Sequence, residues 1–349
     1  MSCLPKFSHN YFYMTSFKQY FKQIAMLLAV ALLCVSCVQT PAMSNSPWRS
    51  LQLPTESNLQ DLAFSDKQHG WVVGSDATLL ETTDGGNTWE NRKLELGNQK
   101  YRFNSISFSG NEGWIIGEPT LMLHTIDAGK SWSELPLSSK LPGAPSTIVA
   151  LGKNSAEMTT NVGAIYRTED GGKNWKSLVN DAVGLFRTIN RSTDGKYVAV
   201  SAKGNFYSVW KPGNDSWEPH NRNSSRRVST MGFTRDGSGL WMLARGGQLQ
   251  FSDDTGAEEW KEAEFPGKKD NIGLLDLAYR TPEEIWVSGG SSDLMRSIDG
   301  GKTWEKDYAI QSVPSNLYKI LFLSQDQGFI IGQRGILLKY DSGNVVPAA

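Results

Sequence analysis

The sequence predicts an all-β fold: a seven-bladed β-propeller of four-stranded antiparallel blades, its ring closed by an N-terminal outer strand. Three observations predict it. Tryptophans at positions 89, 132, 175, 217, 260 and 304 recur at spacings of 43, 43, 42, 43 and 44 residues. Each is approached by a turn of the pattern [ST]-x-D-x-G-x-x-W or a remnant of it. Between the turns run short apolar segments with no amphipathic helix, and four strands per repeat of this length are the signature of a propeller blade.

Residues 1–37 read as an export signal. Lys18 and Lys22 precede an apolar run from Ile24 to Val35. A membrane-spanning helix needs roughly 20 residues, so this shorter run matches the apolar region of a secretory signal. Its end, Cys34-Val35-Ser36-Cys37, is similar to a bacterial lipobox, in which the last cysteine is lipidated and becomes residue one after cleavage. Cys34 departs from that pattern, standing where Leu is usual. Two readings stay open: lipidation of Cys37, or plain cleavage near Ala42. Met14 is an alternative start, giving a signal of 24 residues that ends at Cys37. Residues 38–47 then form a short tether. All three cysteines (Cys3, Cys34, Cys37) fall in this leader. The body therefore has no material for a disulfide, a Cys-ligated zinc or a cysteine nucleophile.

Residues 48–345 are the propeller, followed by a tail at 346–349. Well-formed turns are Thr82 to Trp89, Thr125 to Trp132, Thr168 to Trp175 and Ser297 to Trp304. Two are degenerate: Gly213 to Trp217 has lost its Asp, and Ser252, Asp254, Gly256, Trp260 carries one inserted residue. About 18 residues before each tryptophan comes a second-strand mark such as GWVVG at Gly70, GWIIG at Gly113 or GFIIG at Gly328, with a weak copy at Met158. Inner strands LQDLAF, FNSISF, STIVAL, VSTMGF, LLDLAY and YKILFL precede these marks, and a third strand such as TLLETT follows. The outer strand is expected to start at the tryptophan. The seventh unit lacks a closing tryptophan, and Trp48-Arg49-Ser50-Leu51-Gln52-Leu53 resembles an outer strand with nothing before it. That segment is expected to complete the last blade and remove its exposed edge.

The repeated turn resembles the Asp-box of sialidases, sortilins and several non-enzymatic propellers. Its residue types suit structure: Asp accepts backbone N–H bonds, Gly takes positive φ, and Trp plugs the space between sheets. Asp84, Asp127, Asp170, Asp254 and Asp299, with Trp89, Trp132, Trp175, Trp260 and Trp304, are assigned that role. Ion or ligand binding at these aspartates is the alternative, and no metal is expected.

Up-and-down connectivity places the Asp-boxes and the inner-to-second loops on one rim. On the opposite rim fall Arg102 and Arg187 at the starts of inner strands, Arg222, Arg226 and Arg227 before blade five, and Arg245 and Arg334 in second-to-third turns. Arg191, Arg235 and Arg280 map to the Asp-box rim. Guanidinium groups gathered on one face suit bidentate capture of carboxylates. The other reading is scattered, solvated arginines.

With 35 basic and 36 acidic residues, net charge -1 and pI near 6.5, the chain lacks the basic excess of a nucleic-acid binder. Four histidines (His9, His69, His124, His220) show no metal-ligand spacing. A carbohydrate-active enzyme with paired carboxylates remains the alternative function. It lacks the Arg-Ile-Pro type motif that begins the sialidase arginine triad.

The lipobox-like leader, seven Asp-box units, the phrases GWVVG…TTDGGNTW and GWIIG…TIDAGKSW, and the arginine-bearing face together resemble the photosystem II stability and assembly factor family. The resemblance covers the chain from Cys37 onward and points to the cyanobacterial form, since neither a transit peptide nor a twin arginine is present. It implies a cofactor-free, non-catalytic and monomeric factor, lipid-anchored on the lumenal side of the thylakoid membrane. It further implies that this factor binds the newly made precursor of a core reaction-centre subunit, and other assembly factors, in complex formation and repair. The family's arginine patch carries over to Arg187, Arg226, Arg227 and Arg245, and less closely to Arg102, Arg222 and Arg334.

Overall fold

The structure, a computed structural model, describes residues 41–179, 184–222, 224–256, 259–267, 273–341 and 343. The predicted signal, Cys37 and the tail at 346–349 lie outside the described residues. Seven antiparallel sheets follow one another along the chain. Blade 1 is Leu59–Phe64, Gly70–Gly74, Leu79–Thr82 and Glu90–Asn91; blade 2 is Arg102–Ser109, Glu112–Glu118, Leu121–Thr125 and Ser133–Glu134. Blade 3 is Pro145–Gly152, Ser155–Thr160, Ile165–Thr168 and Lys176–Ser177; blade 4 is Phe186–Arg191, Tyr197–Ser201, Phe206–Trp210 and Glu218–Asn221. Blade 5 has three strands, Val228–Phe233, Leu240–Ala244 and Gln248–Phe251. Blade 6 is Leu274–Tyr279, Ile285–Gly289, Leu294–Ser297 and Glu305–Lys306. Blade 7 takes Leu317–Phe322, Gly328–Gly332 and Leu337–Tyr340 from the C-terminal end and Trp48–Leu51 from the N-terminal end. Trp48 pairs with Tyr340 and Leu51 with Leu337, so the ring closes as expected.

The second strands GWVVG, IWVSG and GFIIG are buried at every residue. A strand covered on both faces reads as a continuous apolar run rather than an alternation, which is why these marks stood out. Three Asp-box tryptophans plug against an aromatic of the preceding blade: Trp132 on Trp71, Trp175 on Trp114 and Trp89 on Phe329, at ring-centroid distances of 6.1, 5.9 and 6.3 Å. The turn itself is closed as its composition predicts. Asp127 accepts from the hydroxyls of Thr125 and Ser131 (2.7 and 2.6 Å) and from the Ser131 N–H (2.9 Å). Gly129 has φ +85, and a Cβ there would sit 2.4 Å from the Trp71 ring, so the glycine serves both backbone and packing.

Three expectations need correction. Outside blade 7, whose outer strand begins at Trp48, outer strands begin after the tryptophan, whose ring is committed to the sheet interface, and in blades 1, 2, 3 and 6 they are only two residues long. Blade 5 forms no regular outer strand among the described residues; the bridge between Leu249 and Glu264 stands in its place. In that blade the Ser252 hydroxyl donates to the Asp254 backbone carbonyl (2.8 Å) instead of its carboxylate. Within the segment 38–47, Pro41 to Met43 lie along blade 6.

Inner strands face a central channel. Every inner strand carries a bulge, and the residue after it is polar in all seven blades: Asp61, Ser105, Thr147, Thr188, Thr230, Asp276 and Lys319. A bulge lets one residue leave the ladder and re-aims its neighbours. Here it permits bonds between blades. Asp61 accepts from Ser105 Oγ (2.8 Å) and Ile106 N–H (3.0 Å) of blade 2, and pairs with Lys319 of blade 7 at 2.5 Å. The channel cavity between the inner strands of blades 7, 1, 2, 3 and 4 has a volume of about 500 Å³.

Candidate partner-binding face

The arginines of the rim opposite the Asp-boxes are held by a chain of backbone contacts around Val228. Arg187 is the bulged residue of its inner strand, and its guanidinium donates to the Val228 carbonyl of the next blade (3.0 Å). The Val228 N–H donates to the Gly204 carbonyl (2.8 Å), and the Arg245 N–H donates to the Arg227 carbonyl (2.9 Å). Arg226 donates to the Arg245 carbonyl (3.2 Å), and Arg222 to the Arg226 carbonyl (2.7 Å). Five arginines, Arg187, Arg222, Arg226, Arg227 and Arg245, are thereby gathered on blades 4 and 5.

Their partners decide their chemistry. Among the described residues none of the five is paired with a carboxylate, and four of them, all but half-buried Arg222, are exposed. Burial lowers the Arg222 pKa from its ordinary value, partly offset by Tyr207. A carbonyl fixes a guanidinium's direction without cancelling its charge, so the fork keeps donors for an incoming anion. The Asp-box-rim arginines differ. Arg191 is 2.8 Å from Glu157, which also accepts from Tyr197 Oη at 3.0 Å, and Arg280 is 2.5 Å from Glu284. Arg235 is tied to the Arg280 carbonyl at 3.0 Å.

Two arginines assigned to the face stand apart. Arg102, in blade 2, pairs with Glu118 at 3.1 Å and also donates to Asn104. Arg334, in blade 7, has φ +54 and uses its backbone N–H on Asn58 Oδ1 at 3.2 Å. Neither joins the cluster.

Three contributors escaped the sequence reading. Phe265 lies under Arg226, with the guanidinium carbon 5.5 Å from the ring centroid, an arrangement that orients the cation. At Gly204, φ is +69 and a Cβ would approach the Val228 carbonyl to 2.4 Å, so only glycine lets this turn meet blade 5. Exposed Lys203 precedes it and adds a charge to the same rim. An ARGG or KG turn is a signal a reader can find, but the stacking of Phe265 depends on an irregular segment.

No cluster of three His, Asp or Glu side chains among the described residues is arranged to hold a metal. His69 and His124 pair with Glu81 and Glu112 at 2.7 and 2.9 Å.

Residues 40–341 match the model of the family described as "Photosynthesis system II assembly factor YCF48". The chain belongs to the photosystem II assembly factor family. Among its relatives, the "Photosystem II assembly lipoprotein Ycf48" of Trichormus variabilis is 60% identical over 91% of this chain and 94% of its own. That of Synechocystis is 56% identical over 93% and 95%. A solved structure titled "YCF48 bound to D1 peptide" is 57% identical, with a TM-score of 0.86 over 88% of this chain and 99% of its own. YCF48 from Cyanidioschyzon merolae is 41% identical, with a TM-score of 0.78 over 86% and 100%. The photosystem II assembly factor family is thus matched along essentially the whole propeller, as the leader, the repeats and the arginine face together implied.

Proposed function

We propose that this member of the photosystem II assembly factor family is a non-catalytic binder. Its arginine face on blades 4 and 5 captures a carboxylate-bearing segment of the precursor core reaction-centre subunit on the lumenal side of the thylakoid. One observation carries the reading: Arg187, Arg222, Arg226, Arg227 and Arg245 converge with backbone partners and no carboxylate partner among the described residues. The relative solved with a D1 peptide supports a peptide as the ligand, and a rigid rim loses little entropy on docking. The relatives named lipoproteins support export and a lipid anchor on Cys37. A monomeric propeller working beside other assembly factors fits the same picture. In the channel, Asp61 is engaged by Lys319, Ser105 and Ile106, which supports a structural part for that carboxylate.

Charge reversal tests the face. Arg226→Glu with Arg227→Glu should abolish capture of an acidic reaction-centre peptide while the melting temperature holds. Retained binding removes the arginine face from the mechanism, and turnover of a sialoside or glucan by the purified chain overturns the binder reading.

A further inference from the structure

The segment expected to be a tether is a strap on blade 6. The Lys306 N–H donates to the Pro41 carbonyl (2.8 Å) and the Met43 N–H donates to the Lys306 carbonyl (3.0 Å), with Ala42 bridged parallel to Lys306. The Ser46 hydroxyl donates to Asp307 (2.5 Å), and Met43 packs on the core shared by blades 6 and 7. The direction of the strap follows from its pairing. The outer strand Glu305–Lys306 starts just after Trp304 and so runs away from the Asp-box rim. A segment parallel to it must enter from that rim. Pro41, the first described residue, therefore lies at the Asp-box end of the strap on blade 6.

Only four residue steps separate Cys37 from Pro41, a span of at most about 14 Å when fully extended. The surface at that end carries Ile298, 53% exposed at the Asp-box tip, and exposed Lys302 in the same turn. Exposed Pro282 and Glu283 lie on the adjoining turn, where the Gly300 N–H donates to the Glu283 carbonyl (2.9 Å).

We propose that the Asp-box end of blade 6 is the surface by which the protein meets a lipid bilayer. This rests on the lipid anchor on Cys37 proposed above. Acyl chains on Cys37 stay in the bilayer, so the edge that holds Pro41 lies within that short reach of the headgroups. Ile298 offers apolar contact there and Lys302 a cation that anionic headgroups attract. Docked this way, the arginine face is on the rim turned away from the lipid. Headgroup phosphates, which are themselves good guanidinium ligands, then do not compete for it.

The body has no cysteine after Cys37, so single probes can be placed cleanly. Fluorophores are attached to Ile298→Cys or Lys203→Cys in the full-length, processed protein. The labelled proteins are bound to phosphatidylcholine–phosphatidylglycerol vesicles carrying a nitroxide lipid. Quenching at 298 should exceed that at 203 several-fold. Equal quenching, or stronger quenching at 203, overturns the docking. The mass of the mature N-terminus and partition into a detergent phase report the anchor separately. An unlipidated protein that stays in the aqueous phase overturns the anchor and the docking together, whereas a lipidated protein with equal quenching overturns the docking alone. Met43→Gly with Ser46→Ala loosens the strap and should bring the quenching ratio toward one with lipidation unchanged; an unchanged ratio overturns the strap's part in the orientation.

Discussion

Trp48 stands edge to face on Trp286, ring centroids 5.4 Å apart and planes at 88°. It meets Tyr340 in the same manner at 5.3 Å. The N-terminal strand thus inserts the plug that the other blades take from a tryptophan just before their own outer segment, and it does so across the seam of the ring. Trp48→Ala removes a buried aromatic and should cost about 3–5 kcal/mol, read as a lowered urea midpoint. Deleting residues 48–53 should lower the melting temperature more, because the edge of blade 7 is then bare. A deletion that melts like the parent contradicts closure by this strand.

The Asp-boxes predict an acid-side loss of stability. Hydroxyl and N–H donors from Ser131 and the Thr125 hydroxyl hold Asp127 down to about 2, and Thr303 and Ser297 do the same for Asp299. A carboxyl with a depressed folded value stabilises fully above its ordinary value of 3.8, and that contribution is lost as pH falls toward 2. These turns face solvent, which screens the effect, so Asp127→Asn should cost only about 1 kcal/mol at pH 7. Urea melts at stepped pH should show the gap between variant and parent closing below pH 4, about the ordinary value for a carboxyl. A gap independent of pH would mean that the charge of Asp127 is not used.

The fold was legible because the propeller repeats its signals, and the departures have local causes. Trp217 is a plug although its turn has lost the Asp; its indole donates to the Gly163 carbonyl (2.7 Å) and packs on Phe186, so the ring seats without the box. The arginine face was legible in position, since up-and-down connectivity fixes which loops share a rim. Pairing was not. Arg102 stands just before the buried Phe103 and Arg187 just after the buried Phe186, and it is the register setting Arg102 opposite Glu118 that shows which of the two is paired. The channel belt was hidden for a similar reason: Asp61, Asp276 and Lys319 sit one residue past a bulge, where strict alternation fails.

That pairing ranks the arginines. Arg226→Gln removes a charge with no carboxylate partner among the described residues and should weaken binding of an acidic peptide about tenfold, the scale of one charge-assisted hydrogen bond. Arg102→Gln removes a charge already answered by Glu118 and should change affinity less than about twofold, as expected of an exposed ion pair. Fluorescence anisotropy at two salt concentrations checks both, with the parent losing affinity as salt rises. Equal losses for the two variants would show that the face extends to blade 2.

Asp276 predicts the opposite pH trend from the Asp-boxes. Burial pushes its carboxyl up to about 6, against the pull of the Ile320 N–H and the Lys319 ammonium. A raised folded value means that the native state holds the proton more tightly than the unfolded chain. The stabilisation is then fullest at pH values below about 4 and is lost as pH rises through 6. Asp276→Asn keeps an oxygen to accept from the Ile320 N–H, a bond of 2.8 Å in the parent, and carries no charge to desolvate. Lys319 retains its ion pair with Asp61. The variant should therefore match the parent in urea at pH 4 and exceed it by about 1 kcal/mol at pH 7.5. If the variant is instead weaker at pH 7.5, the charge on Asp276 is needed by Lys319, and the two carboxylates share the channel cation.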